Sequence, residues 1–97
     1  MRIITRKRLV DFSIIHPDAK TALDRWYFDV SNSMWESHAD IKTMYPNADY
    51  IGNQRYVFNI HGNKYRLVVV VQFTHETVYI RFVGTHDEYN KIDCKTI

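Results

Sequence analysis

The stretch YIRFVGTHDEY, residues 79–89, contains side chains that can transfer protons and bind anions. An imidazole takes up or releases a proton near neutral pH, and His86 stands directly after a predicted strand. A guanidinium offers a planar set of donors that suits phosphate oxygens, and both Arg66 and Arg81 lie within predicted strands. Tyr89 follows His86 by three residues, so the two side chains would lie on one side of a starting helix. These residue types could together perform proton transfer beside a bound anion.

Basic residues are concentrated around these strands, although the whole chain carries a net charge of only +2. The segment from Arg55 to Arg81 contains four Lys or Arg residues and two His residues, against one acid, Glu76. A local cationic surface of this kind suits a negatively charged partner such as a phosphate backbone. The distribution of charge therefore favours an anionic ligand for the second half of the chain.

The residues before this stretch predict a β-hairpin. Strands are predicted over Arg55–Ile60 and Lys64–Phe73, and Gly62 and Asn63 between them tolerate the positive φ of a tight turn. A two-residue turn there would place Asn59 opposite Arg66. Because side chains alternate along a strand, one face of the hairpin is expected to carry Arg55, Asn59, His61, Lys64 and Arg66. The other face is expected to join the core through Tyr56, Phe58, Ile60, Leu67, Val69, Val71 and Phe73.

The arginine inside the last strand is expected to join the same cationic face. A turn around His75 and Glu76 would pair Val70 with Arg81 and Gln72 with Tyr79. Arg81 would then lie on the face of Arg66, with the polar strand exit beside it. A second interpretation of Arg81 stays open, in which it forms an ion pair with a carboxylate across the sheet.

The elements that must position these residues are a short opening strand, three helices and the strands above. Met1–Ile4 predicts the opening strand, and Thr5 is expected to cap a first helix that carries Leu9, Phe12 and Ile15. Pro17 suits the first turn of a second helix, whose apolar residues recur at helical spacing: Ala19, Ala22, Leu23, Trp26, Tyr27 and Val30. Ser37 is expected to cap a third, shorter helix that Pro46 ends.

Composition limits the class of protein. Ninety-seven residues with 45% hydrophobic and 25% charged residues predict one domain over residues 1–97. The single cysteine, Cys94, excludes an internal disulfide, and no signal peptide or membrane-spanning run is apparent, so we expect a cytoplasmic protein. No His or Cys spacing typical of a metal site occurs, so no metal and no cofactor are expected.

The stretches FNIHGNKYRLVVVV and YIRFVGTHDEYNKI resemble the HigB branch of the RelE-type toxins of bacterial toxin–antitoxin pairs, with GNKYRL and GTHDEY the most specific parts. The resemblance extends over nearly the whole chain. It implies an α+β fold, with a small antiparallel sheet of about four strands, N-terminal helices on one face and a short C-terminal helix. It also implies a ribosome-dependent messenger-RNA endonuclease that needs no metal and is neutralised by a helix-turn-helix antitoxin similar to HigA.

In this family the 2′-hydroxyl of the RNA attacks the adjacent phosphate. The resemblance implies catalytic roles for His86 in V-G-T-H, Arg66 in Y-R-L and the aromatic Tyr89, to which Lys64 would add a point charge. RNA binding is then expected of the other residues on the cationic face: Arg81, Arg55, His61 and Asn59. Asn90 departs from the family pattern, in which an acid is expected after the tyrosine.

Two alternatives remain at this point. His86 could simply begin the last helix and hydrogen-bond to the main chain. The protein could also be a catalytically inactive member of the same fold that binds an antitoxin, RNA or the ribosome. The joint presence of Arg66, His86 and Tyr89 on one predicted surface favours the enzyme.

Overall fold

The strands of the chain form one five-stranded sheet in the computed structural model, which describes residues 1–97. The spatial order is β1-β5-β4-β3-β2, in which β1 is parallel to β5 and the other neighbours are antiparallel. The strands are β1 (Arg2–Ile4), β2 (Asp49–Gly52), β3 (Arg55–Ile60), β4 (Tyr65–Gln72) and β5 (Thr77–Thr85).

Three helices precede the hairpin strands and one follows them. They are α1 (Lys7–Ile15), α2 (Lys20–Ser31), α3 (His38–Met44) and α4 (His86–Asn90), and a single 3₁₀ turn, Pro17–Ala19, leads into α2. No helix combines the length and the apolar character needed to cross a membrane.

The helices α1 to α3 cover one face of the sheet. The apolar residues that recur at helical spacing pack against the inward-facing strand residues in a single cluster. Almost fully buried members of this cluster are Leu23, Val30 and Ile41 from the helices and Leu67 and Val69 from the sheet. Three aromatic rings are part of it: Trp26 lies edge-on to Phe58 at 5.5 Å between ring centroids, and Trp35 stacks on Phe58 at 6.4 Å. Burial of such rings is a large share of the apolar stabilisation in a small domain.

The α+β class is confirmed, and two details of the sheet differ from expectation. The sheet has five strands instead of four because the stretch around Tyr50 pairs with β3 as β2. The opening strand pairs with β5 in parallel, so the sheet is mixed.

The cap of α3 is as expected, since Ser37 forms a capping box with Asp40. The expected cap of α1 is wrong, because Arg6, not Thr5, stands at that position, with no side-chain cap hydrogen bond.

The register of the β3–β4 hairpin is as predicted, with Asn59 opposite Arg66. Its turn is different. The positive φ values fall on His61 (54°) and Gly62 (66°), so the last paired residues are Ile60 and Tyr65. Strand alternation therefore ends before residue 61 and cannot be extended to His61 or Lys64.

The register between β4 and β5 contains a β-bulge, and it is shifted from the prediction by two residues on the turn side of the bulge and by one residue beyond it. Val70 pairs with Tyr79, Val69 with Ile80 and Val68 with Phe82. Arg81 is the extra residue of the bulge. A bulge leaves one residue outside the ladder and turns the strand locally, so the exposed Arg81 still lies on the outer face of the sheet, away from α1 to α3.

The outer face is covered in part by the segment that follows β5. Val57 and Val68 belong to this face and are nevertheless buried, with 4% and 0% exposure. Helix α4 contacts β4 and β5, and beyond it the main-chain oxygens of Lys95 and Ile97 accept hydrogen bonds from Asn53 and Arg55. The expected open cationic face is thus divided by a covered apolar strip.

Candidate active site

The exit of β5 is fixed by a capping box. The main-chain N–H of Thr85 donates to Glu88 Oε1 at 2.8 Å, and the N–H of Glu88 donates to Thr85 Oγ1 at 3.2 Å. These hydrogen bonds lower the pKa of Glu88. The box starts α4 immediately after the strand, so that His86 is the first helical residue.

His86 is exposed, and one of its ring nitrogens is engaged. Its Nδ1 lies 3.2 Å from Asn90 Nδ2, one helical turn further on. Nε2 is then the ring nitrogen left for proton exchange with a ligand. The imidazole hydrogen-bonds to a side chain and not to the main chain. The alternative in which His86 only begins the helix therefore explains its position in the chain, but the expected hydrogen bond from the ring to the main chain is not formed.

His86 opens on a groove of about 450 Å³ between the end of α1, the start of β4 and the start of α4. We call it the His86 groove; its polar walls also carry His16, Asp18, Lys64, Tyr65, Thr85 and Asp87. The ring of His16 stacks on Phe12 with 4.5 Å between centroids. A second imidazole therefore borders the groove.

Asp18 is the centre of the polar contacts in the His86 groove. Its carboxylate accepts hydrogen bonds from Lys64 Nζ at 2.5 Å and from the Tyr65 hydroxyl at 2.5 Å, and His61 Nε2 lies 3.9 Å away. The hydrogen bond from Lys64 is the largest reason that the pKa of Asp18 is lowered to about 2. The hydrogen bond to Asp18 correspondingly raises the pKa values of both Lys64 and Tyr65.

The contacts of Asp18 correct the placement of two predicted site residues. His61 and Lys64 were expected on the outer face with Arg66, but both meet Asp18 of the 3₁₀ turn on the helix side of the sheet. The physical reason is the turn geometry, because residues 61–64 lie outside the ladder. Lys64 still borders the same groove as His86.

Arg66 lies at the same end of the sheet as His86. It pairs with Gly84 of β5, two residues before His86, and with Asn59 of β3. Its guanidinium Nη1 donates to the oxygens of Asn63 at 3.1 Å and Tyr65 at 3.4 Å, and no ion pair includes it. Arg66 therefore keeps an unneutralised positive charge on a half-buried side chain.

Tyr89 of α4 is half-buried near Arg66. Burial raises the pKa of the Tyr89 hydroxyl to about 12, with a hydrogen bond from Cys94 Sγ at 3.6 Å acting in the same direction and the positive charge of Arg66 acting against it. The hydroxyl is therefore protonated at neutral pH. It can donate a hydrogen bond, and its ring can offer a stacking surface.

Two of the predicted RNA-binding residues, Arg55 and Arg81, lie apart from this group. Arg55 and Arg81 border an open pocket at the other end of the outer face. Asn59 is exposed and stands opposite Arg66, where β3 extends beyond the first residue of β2. The structure thus gathers Arg66, Tyr89, His86 and Lys64 at one end of the β4–β5 pair, while Arg55 and Arg81 lie towards the opposite end.

Sequence reasoning missed Asp18, His16 and Asn90. Asp18 is 46 residues from Lys64 along the chain, so no local spacing could connect them. His16 carried only the signal of a helix end. Asn90 had a usable signal, since its i, i+4 spacing from His86 predicts contact on a helix. Nowhere do three or more His, Cys, Asp or Glu side chains converge closely enough to share a metal ion.

Residues 19–92 match the model of the HigB toxin family, described as the RelE-like toxic component of a toxin–antitoxin system. The chain is 34% identical over 93 residues to the mRNA interferase toxin HigB of Escherichia coli strain K12, a match that covers 93% of this chain and 88% of that protein. An mRNA interferase HigB of Shigella flexneri shows the same identity and coverage. A more distant mRNA interferase HigB, from Escherichia coli O6:H1, is 23% identical over 94 residues, or 95% of this chain and 91% of that protein.

Proposed function

The chain belongs to the HigB family of RelE-like toxins of toxin–antitoxin systems, and from this premise we propose that it is a ribosome-dependent endoribonuclease that cuts messenger RNA without a metal ion. Relatives named mRNA interferases match over most of their length. The observation that carries the proposal is the common location of Arg66, His86 and Tyr89 at one end of the β4–β5 pair. Arg66 pairs with Gly84, two residues before His86, and α4 holds both His86 and Tyr89. The protein would act in the cytoplasm, where translated messages are found.

The proposed reaction is an internal transfer of the phosphoryl group. The O2′–P bond forms while the P–O5′ bond breaks, which leaves a 2′,3′-cyclic phosphate and a free 5′-hydroxyl. One proton leaves the 2′-hydroxyl and one reaches the 5′-oxygen, and His86 Nε2 is assigned one of these transfers because Nδ1 is engaged by Asn90.

The phosphorane formed during the transfer carries extra negative charge, and Arg66 is assigned to stabilise it. Its guanidinium has no carboxylate partner, so its charge and its donor fork are available to phosphate oxygens. The protonated hydroxyl of Tyr89 would donate to a phosphate oxygen, or its ring would stack on a base. Lys64 is assigned a weaker, supporting charge because Asp18 already holds its ammonium.

The small size of the cationic surface supports the proposed dependence on the ribosome. The net charge is only +2, and Arg55 and Lys64 already bind groups within the protein. Few basic side chains are therefore left to displace counterions from an RNA backbone. Free RNA would therefore be held weakly. The ribosome would supply the missing affinity by docking the toxin beside a message in the decoding site.

The test compares purified protein acting on the same message with and without translating ribosomes. We expect cuts within the translated region only when ribosomes are present, and 2′,3′-cyclic phosphate and 5′-hydroxyl ends. An Arg66→Ala variant is the matched inactive control, and Arg66→Lys should recover little activity because the planar fork is lost. Robust cutting of protein-free RNA would overturn ribosome dependence, and the absence of cuts with ribosomes would favour the inactive binding module.

A further inference from the structure

The outer face carries a second cationic site, at the end of the sheet away from His86. It is an open pocket of about 300 Å³ lined by Arg55, Val70, Gln72, Tyr79 and Arg81, which we call the Arg81 pocket. Arg55, Val70 and Tyr79 occupy one row across three strands. That row lies four residues along the strands from the row of Arg66, or about 13 Å at roughly 3.3 Å per residue.

Arg81 has no partner for its guanidinium. Arg8 Nη1 donates to its main-chain oxygen at 3.0 Å, but no hydrogen bond of the guanidinium is found and the ion pairs of the molecule involve other residues. The interpretation of Arg81 as half of a cross-sheet ion pair is therefore wrong. The β-bulge that directs this side chain outward leaves a full positive charge over the pocket.

The other walls of the pocket suit a nucleotide. Arg55 directs its guanidinium fork at a single oxygen, that of Ile97, through Nε at 3.1 Å and Nη2 at 2.5 Å. That contact marks a position where an acceptor oxygen is held by two donors, as a phosphate oxygen would be. Tyr79 is half-buried and presents an aromatic ring, and Gln72 adds an amide. No acidic side chain lines the pocket.

We propose that the Arg81 pocket is a binding subsite for one nucleotide of single-stranded RNA, apart from the cleavage centre and without a part in the chemistry. Arg81 binds the phosphate, Arg55 joins it when the chain segment at Ile97 is displaced, and Tyr79 stacks on the base. Stacking and phosphate contact are the two elements by which single strands are held without strong sequence preference. The identification of this RNA as a message or as ribosomal RNA rests on the proposed function.

The experiment measures binding of a short, fluorescent 2′-O-methyl oligoribonucleotide at several salt concentrations. This probe cannot be cut by a 2′-hydroxyl, so the result is independent of the chemistry assigned to His86. Arg81→Ala should weaken binding about tenfold at low salt. It should also lower the slope of log affinity against log salt by about 0.7, the value for one lost phosphate contact with a single strand.

A second variant separates stacking from charge. Tyr79→Ala should weaken binding about tenfold with an unchanged salt slope, whereas Tyr79→Phe should bind like the parent. Arg25→Ala is the matched control, because it removes an exposed guanidinium on α2, on the other side of the sheet. Circular dichroism verifies that each variant is folded.

Binding to ribosomes with and without a message identifies the source of the strand. A loss in Arg81→Ala confined to programmed ribosomes assigns the nucleotide to the message, and a loss on both assigns it to ribosomal RNA. Unchanged oligonucleotide affinity and salt slope in folded Arg81→Ala overturn the proposal. The proposal is also overturned if folded Arg81→Ala loses the binding of an acidic protein partner while its affinity for the oligonucleotide is unchanged.

Discussion

The cations of the candidate site differ in whether an acid already neutralises them. Arg66 donates only to main-chain oxygens, whereas the ammonium of Lys64 lies 2.5 Å from the carboxylate of Asp18. A phosphate approaching Lys64 would have to compete with that carboxylate. A phosphate approaching Arg66 meets an unneutralised charge on a half-buried side chain, where electrostatic attraction is screened less than in bulk water. Arg66 should therefore contribute more than Lys64 to stabilising the transition state.

Replacement of the imidazole tests the proton-transfer role. His86→Gln should lower single-turnover cleavage on ribosomes by about 10² to 10⁴, the range typical of a general acid–base group. Glutamine keeps a hydrogen-bonding side chain but cannot exchange a proton at neutral pH. The matched control is His75→Gln, which replaces an exposed histidine in the β4–β5 turn whose ring hydrogen-bonds to Gln72. Ribosome binding and circular dichroism are measured on both variants. Parental cleavage by folded, ribosome-bound His86→Gln would remove the catalytic assignment.

At the scale of elements, the hairpin was predictable and the connections beyond it were not. Alternation along β3 and β4 places Asn59 opposite Arg66 in sequence and structure alike, because one buried face fixes the register. The bulge at Arg81 adds one residue to β5, and no local pattern marks it. Positive φ at His61 ends the ladder early, which moves Lys64 out of the predicted face. Periodicity determines faces within a strand, whereas turns and bulges decide how far each face extends.

The same reasoning explains which residues of the candidate site could be predicted from the sequence. Arg66 lies in β4, and His86 and Tyr89 lie in α4, which follows directly from β5, the hairpin partner of β4. Their common end of the sheet was therefore foreseeable. Asp18 reaches the site through the packing of a 3₁₀ turn against the start of the central strand β4. A contact between elements so distant along the chain depends on tertiary packing, which single-sequence periodicity does not specify.

The contacts of Asp18 join the helical layer to the sheet, and they should make stability depend on acid. With a pKa of about 2 in the folded protein against 3.8 in the unfolded chain, Asp18 contributes stability that is complete above pH 3.8. The contribution is lost as pH falls from 3.8 towards about 2. Asp18→Asn should therefore be less stable than the parent at neutral pH, and the difference should shrink within that window.

Urea unfolding followed by circular dichroism at neutral and at acidic pH measures this difference. Asp24→Asn is the matched control, since Asp24 pairs with Lys20 at 2.5 Å on the surface of α2. Exposed pairs of this kind contribute little, so its stability should follow the parent at every pH. A constant gap between Asp18→Asn and the parent across the acid range would show that Asp18 is not the titrating group.

At the scale of the whole molecule, the two sides of the sheet differ in the side chains that they expose. The outer face and the β5 exit carry Arg81, Arg66 and Tyr89. The helical side carries large apolar side chains that are open to solvent, including Ile14 at 72% and Phe28 at 66% exposure. Exposed apolar area of this kind is typical of surfaces that meet another protein. A toxin of a toxin–antitoxin system needs such a surface for the partner that neutralises it.

We expect the partner to be a helix-turn-helix protein similar to HigA, whose gene lies next to the gene of this protein. Co-expression should abolish toxicity, and the two proteins should elute together from a size-exclusion column. Masking depends on surface contact and not on proton transfer, so toxin carrying His86→Gln should form the complex equally well and serves as the non-toxic reference. The variant Ile14→Asp, which places a charge on an exposed apolar position, reports whether α1 takes part in the contact. Separate elution together with undiminished toxicity would contradict the assignment of this partner, whatever the outcome for the chemistry at His86.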